Sequence, residues 1–126
     1  MNDQYVPCDF TSPQSGWEPY IGGDDAIGEY QQMIIKDDGW DPERGTGSIQ
    51  MFLRCSPGAA FSLPHAHEYN EYVLITQGEL IWMNEDGTVQ SSLRAGSYVD
   101  RDPHMYHGPF TVGDEGCTMY LFNRFK

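Results

Sequence analysis

The sequence predicts an all-β barrel or sandwich built on one domain. Short apolar segments with period-two alternation recur at regular spacing along the chain. Fourteen Gly and eight Pro punctuate them without a period of their own, and no stretch of useful length carries helical periodicity. With 126 residues the chain is one domain's worth of sequence. A chain this long buries roughly two-thirds of its unfolded surface and needs no disulfide or metal staple to fold.

Residues 1–29 read as an irregular arm. Pro7, Pro13, Pro19 and the Gly22-Gly23 pair break any regular element, while Tyr5, Phe10, Trp17, Tyr20 and Ile27 can anchor the segment across a core or on a neighbouring subunit. The domain proper runs from 30 to 126. Tyr30 to Lys36 reads as a strand, and Asp37 to Pro42 as a loop continuing through Gly45 and Gly47. Ser48 to Cys55 alternates, with Ile49, Met51, Leu53 and Cys55 on one face. Pro57-Gly58 is a turn and Ala59 to Leu63 a short strand. Tyr69 to Thr76 is apolar and β-branched; Gln77-Gly78 reads as a turn, and Glu79 to Asn84 as the returning strand. Glu85-Asp86-Gly87 is a hairpin signal. Thr88 to Leu93, the Ala95-Gly96 turn and Ser97 to Asp100 follow. Gly116 to Phe125 closes the chain as a strand apolar on both faces, with Tyr120 and Phe122 on one side and Met119, Leu121 and Phe125 on the other. Such a strand wants cover on both sides, which predicts a homodimer or cover by the arm.

Nineteen acids against seven Lys plus Arg give a formal charge of −12. That leaves too few cations for a basic face, so neither a nucleic acid nor an anionic membrane is an expected partner. No apolar run reaches the roughly 18 residues of a membrane span, and the first residues carry no signal-like pattern, so the expected location is cytoplasmic. Cys8, Cys55 and Cys117 are too widely spaced for a zinc ribbon, and three cannot all pair within one chain. The expectation is free thiols in a reducing compartment.

All four histidines fall in two short stretches: His65 and His67, then His104 and His107. In an extended segment residues i and i+2 share a face, about 6.6 Å apart. Two imidazoles so placed can converge on one cation at ~2.0–2.1 Å from each nitrogen. Glu71, four residues past His67, returns to that face and can add a carboxylate oxygen. Another ligand must come from His104 or His107. Mixed nitrogen and oxygen donors suit iron(II), manganese, nickel, copper or zinc, and not calcium or magnesium. Imidazoles ligate only when neutral, so ordinary histidine chemistry predicts that metal binding weakens below about pH 6. Tyr69 is in phase with His67 and Glu71 and is a candidate proton donor. Met51, Phe61, Val73, Ile75, Trp82, Tyr98 and Tyr106 are candidate neighbours. Arg54 and Arg101 could meet an anionic substrate, but the favoured reading is that they are solvated surface residues.

Gly58, His65, His67, Glu71 and Gly78 together resemble the first conserved motif of cupins: Gly, five residues, His-X-His, three or four residues, Glu, six residues, Gly. Six residues separate Gly58 from His65 here; the other spacings match. Gly96, Pro103 and His107 resemble the second motif, although Pro103 to His107 is one residue short of the family's pattern and lacks its Gly. His104 and His107 therefore both stand as candidates, with Gly108-Pro109 and the distance from Gly96 favouring His107. The resemblance covers roughly residues 30–125. Trp40-X-Pro42 and His107-Gly108-Pro109-Phe110 further resemble a subgroup that includes acetylacetone and dihydroxyacetophenone dioxygenases and the zinc-binding cupin domain of some anti-sigma factors.

The resemblance implies a cupin-type antiparallel β-barrel, a double-stranded β-helix of jelly-roll form. It makes His65, His67, Glu71 and His107 the metal ligands, a site of net charge +1 with a divalent ion. Tyr69 and His104 are the candidate catalytic residues, His104 as a support behind the ligands or an alternative ligand. The implied cofactor is a divalent transition metal, Fe2+ foremost with Zn2+, Mn2+ or Ni2+ as alternatives. The implied partner is a small-molecule substrate. The resulting expectation is an iron(II) dioxygenase acting on a small carbonyl or phenolic compound, an enzyme being favoured by the standalone length. Its rivals are a metal-dependent lyase, isomerase or cyclase, and a non-catalytic metal- or ligand-binding sensor module.

Overall fold

A computed structural model describes residues 16–20 and 26–125. Cys8 and most of the predicted arm lie outside the described residues. Among those described there are nine strands and no helix: β1 (Glu18–Pro19), β2 (Ala26–Ile27), β3 (Tyr30–Asp41), β4 (Thr46–Cys55), β5 (Ala60–Phe61), β6 (Asn70–Met83), β7 (Val89–Arg94), β8 (Tyr98–Arg101) and β9 (Phe110–Arg124). Every pairing is antiparallel. The expected all-β barrel is present.

Two long strands organise it. The second half of β9 lies between β4 and the first half of β6, and β8 adds to the far edge of β6. The first half of β9 lies between β5 and the second half of β6, and β7 adds to the far edge there. β6 and β9 therefore run through both walls of the barrel and bend together at the corner. Register shifts mark the bend, between Ile75 and Gln77 and between Gly78 and Leu80. Gly78 has φ +77°, and a Cβ there would overlap the carbonyl oxygen of Gly116. Only glycine meets both conditions.

The inward faces form one core. Ile49, Met51, Leu53 and Cys55 of β4 are all buried, as their alternation predicts, with Val73 and Ile75 of β6 and Met119 and Leu121 of β9 packed against them. Tyr120 and Phe122 point the other way; Phe122 packs against Tyr72 and Tyr120 against Phe52. Cys55 and Cys117 stand opposite each other across β4 and β9 as free thiols, and burial pushes the Cys117 thiol up to about 12. A thiol held protonated in this way is a poor nucleophile.

Four readings of the sequence need correction. Asp37 to Asp41 is not a loop but the end of β3, held on β4 through two bulges, where long-range pairing outweighs turn-forming residues. Gln77-Gly78 bends a continuous strand instead of reversing it. The last strand begins at Phe110, not Gly116, since β5 and β6 both supply edges for its first residues. The arm is not wholly irregular: Glu18 and Pro19 pair with Gln32 and Gln31, and Ala26 and Ile27 with Phe61 and Ala60. Its Trp17 ring lies 4.3 Å from the Arg54 guanidinium carbon.

The corner supplies a prediction. Gly78→Ala should destabilise the protein by at least about 2 kcal/mol, because left-handed backbone strain and a backbone overlap coincide. Gly87→Ala, at φ +89° but in open space, should lose about 1 kcal/mol. Urea unfolding of both variants checks the ranking; equal losses would show that the Gly78–Gly116 approach is not limiting.

Candidate metal centre

The two histidine stretches are tied together by their backbones. His65 and His107 exchange two hydrogen bonds, with N–H to O distances of 2.7 and 2.8 Å, and the His104 N–H donates to the His67 carbonyl at 2.7 Å. Glu71 enters from the start of β6. The candidate ligand atoms of His67, Glu71 and His107 all lie within 4.8 Å of one another. His67 Nε2 is 3.8 Å from Glu71 Oε2, and His107 Nε2 is 3.7 Å from Glu71 Oε1. His107 Nδ1 lies 3.1 Å from the Met105 carbonyl oxygen. A carbonyl only accepts, so Nδ1 carries the proton and Nε2 is left with its lone pair toward the cluster. This donor set, with its ring orientation fixed from behind, fits a divalent transition metal.

The remaining candidates take different places. The His65 ring stands beside the cluster, its centroid 6.3 Å from His67 and 6.2 Å from His107, and it lines the same cavity, but its nitrogens are not within the group formed by the other three. Tyr69 also lines the cavity. Its ring stacks on His67 at 4.7 Å with 5° between planes, and Trp40 and Phe125 pack at 5.0 and 5.5 Å. Burial and the Glu71 charge raise its phenol well above the ordinary value, so it stays protonated. The His104 side chain is exposed on a left-handed backbone (φ +67°), and what it gives the site is its main-chain N–H.

Arg101 is the residue that sequence reasoning misplaced. It is 4% exposed, and its Nη1 donates to Glu71 Oε1 at 2.9 Å. Arg54 is buried as well, so neither arginine is a solvated surface residue. Asn123 was missed altogether. Cross-strand register explains both positions: Asn123, Glu71 and Arg101 form one row across β9, β6 and β8, and the next inward row is Leu121, Val73 and Val99. Strand phase could have found them, because Arg101 is in step with Val99 and Asn123 with Leu121. Of the other candidate neighbours, Met51, Phe61 and Val73 line the cavity, Trp82 and Tyr106 line a separate cleft, and Tyr98 is exposed on the outer surface.

The electrostatics shift the expected pH range. Burial, then the Arg101 charge, pushes the His107 imidazole down to about 4, and burial foremost lowers His67 too. The His107 ring therefore stays neutral at pH 6 and His67 is displaced in the same direction, so metal retention should extend below that value. In the metal-free protein the unfolded chain takes up protons on these rings below the ordinary 6.5, while the folded state resists until about 4 for His107. Stability is thus complete above pH 6.5 and is lost as the pH falls from 6.5 toward 4. Urea unfolding in chelator across that interval should show the slope, and His107→Gln should flatten it; a slope unchanged by that substitution would exclude His107 as its source.

Residues 42–125 match the family model described as the ChrR Cupin-like domain. No curated protein sequence matches the chain significantly. Among solved structures the fold is similar to an acetylacetone dioxygenase from Acinetobacter johnsonii, with TM-score 0.64 and 16% identity over 98% of this chain and 78% of that one. It is similar to the polyketide cyclase RemF from Streptomyces resistomycificus, with TM-score 0.63 and 15% identity over 91% of this chain and 78% of that one. It is also similar to the anti-sigma ChrR from Rhodobacter sphaeroides, solved in complex with SigE, with TM-score 0.58 and 21% identity over 85% of this chain and 48% of that one. At such identities these likenesses show a shared fold. The family match spans two-thirds of the sequence and includes both histidine stretches, so the chain belongs to the ChrR cupin-like domain family of the cupin superfamily.

Proposed function

We propose that this chain is a metal-dependent enzyme, an iron(II) dioxygenase acting on a small carbonyl or phenolic compound, with His65, His67, Glu71 and His107 as the ligand set. The observation that carries this reading is that the donor cluster opens onto a cavity of about 320 Å3 with mostly apolar walls, among them Met51, Leu53, Val73, Met119 and Leu121. A purely structural ion is closed off by its ligands, whereas a catalytic one keeps positions open toward a pocket. The fold shared with an acetylacetone dioxygenase supports the same reading.

Within this reading each residue has a physical task. His67 and His107 present neutral nitrogens, the latter held in one tautomer by the Met105 carbonyl. Glu71 presents a carboxylate oxygen while Arg101 holds the carboxyl group in place. His65 lines the same cavity, its ring centroid 6.3 Å from His67 and 6.2 Å from His107, and would complete the set. Tyr69 keeps a proton at the cavity edge, and the apolar walls exclude water. Bound iron(II) would supply the one-electron chemistry that molecular oxygen requires of a closed-shell organic substrate.

A second reading has its own support. The family model takes its description from ChrR, which was solved as an anti-sigma bound to SigE, and this favours a non-catalytic metal- or ligand-sensing module. Metal analysis of protein purified without added metal, followed by oxygen uptake against a panel of diketones and phenols, separates the two. Iron with substrate-dependent oxygen uptake supports the dioxygenase. Tight zinc, and no uptake after iron loading, supports the module or a lyase, isomerase or cyclase.

Substitutions test the ligand set. His67→Ala, Glu71→Ala and His107→Ala should each lose most bound metal while circular dichroism stays β-like, since a chain of this size has enough apolar core to fold alone. His104→Asn keeps the left-handed backbone and the main-chain hydrogen bond, so its metal content should stay near that of the native protein. An empty site in His104→Asn with a full one in His107→Ala would reverse their roles.

A further inference from the structure

Two polar atoms inside the barrel have no hydrogen-bond partner among the described residues and lie in the row beside the metal cluster: Nη2 of Arg101 and Oδ1 of Asn123. Arg101 is 4% exposed and Asn123 7%. Both line the 320 Å3 cavity, one on each side of Glu71. Leaving a buried donor on a charged group unsatisfied is costly, and native interiors rarely tolerate it without a ligand or water to meet it. The guanidinium is already fixed, with Nη1 on Glu71 and the Phe110 ring 5.3 Å from its central carbon. What remains is a fixed, unpartnered donor set within the cavity wall and covered by its neighbours, so an acceptor from the cavity reaches it when wall side chains shift.

The charge count points the same way. Imidazoles ligate only as neutral donors, so with Glu71 and Arg101 cancelling, a bound divalent ion would leave the interior at +2, one unit more than the +1 of the ligand set alone. A neutral ligand leaves that charge buried without compensation, whereas an anion reduces it. We propose that Arg101 is the anion-recognition residue of this cavity, and that the ligand is a small organic acid whose anionic oxygen accepts from Nη2. The apolar body of the acid lies on the adjoining row of Met51, Leu121 and Val73. Asn123 Oδ1 accepts from a hydroxyl on the same ligand. This inference rests on reading the cavity as a substrate site and narrows its substrate class.

The test is calorimetric binding to the full chain loaded with zinc, which is redox-inert. The probes are benzoate, its neutral isostere benzamide, and 3-hydroxybenzoate. Benzoate should bind at least about 10-fold tighter than benzamide, the scale of one hydrogen bond to a charged group. Arg101→Gln should remove most of that preference. Because Arg101→Gln leaves Glu71 unpaired and can fail to fold, Arg101→Lys serves as the second variant. It keeps the charge beside Glu71 but loses the forked second arm, so it should also lose most of the preference. Asn123→Leu should spare benzoate and abolish any gain from the hydroxyl. Equal affinity for benzoate and benzamide, a preference that survives in the folded arginine variants, or no binding of any probe at millimolar concentration would each overturn the proposal. Oxygen uptake without an anion preference would sink this inference and leave the dioxygenase reading standing. An Arg101-dependent preference in an iron-loaded protein that consumes no oxygen would do the reverse.

Discussion

The close approach of Gly78 to Gly116 is the constraint on which the barrel depends. Among the described residues β6 and β9 are the strands that belong to both walls, and they bend where a Cβ at Gly78 would meet the backbone of Gly116. That bend turns a long antiparallel pair into two walls of one pocket. It also sends the beginning of β6 and the end of β9 up the same wall, side by side. Glu71 and Asn123 sit there in register, with Arg101 brought alongside on β8. The site is therefore a product of the corner: the same register that buries Val73, Leu121 and Met119 below places three polar residues in one row above.

That row is organised around a buried ion pair. A lone buried carboxylate would cost several kcal/mol in an apolar wall, and a lone guanidinium likewise. Together, at 2.9 Å, they are tolerated, and neither histidine has to carry charge to balance Glu71. Arg101 thus does two things at once. It lets the fold stand before any cation arrives, and it helps to keep His107 neutral and ready to ligate.

Much of this was legible in the sequence. The alternation of Ile49, Met51, Leu53 and Cys55 marked an inward face because strand period and burial agree there. The spacing of His65, His67, Glu71 and His107 marked a site because few arrangements bring two imidazoles and a carboxylate onto one face. What stayed illegible depended on long-range partners. Asp37 to Asp41 carries turn-forming residues but is held extended by β4, and Gln77-Gly78 looks like a reversal but is a bulge imposed by β9. Arg101 was misjudged because an arginine's burial depends on the partner that neutralises it, and Glu71 is 30 residues away in the chain.

The same pairing shapes how a cation enters. An incoming divalent ion must share Glu71 with Arg101, and Oε2, facing His67, is the oxygen not already hydrogen-bonded to the guanidinium. Binding through it need not break the ion pair. It turns a locally neutral interior into one with an excess of positive charge, confined by apolar walls of low polarisability. Electrostatic attraction for an anion in that cavity is therefore weakest in the metal-free protein and strongest once the ion is seated. On the proposed reading, metal and acid binding would be linked through charge alone, and the linkage would be reciprocal: an acid that favours the metal-loaded form must, by the same free energy, tighten the hold on the metal.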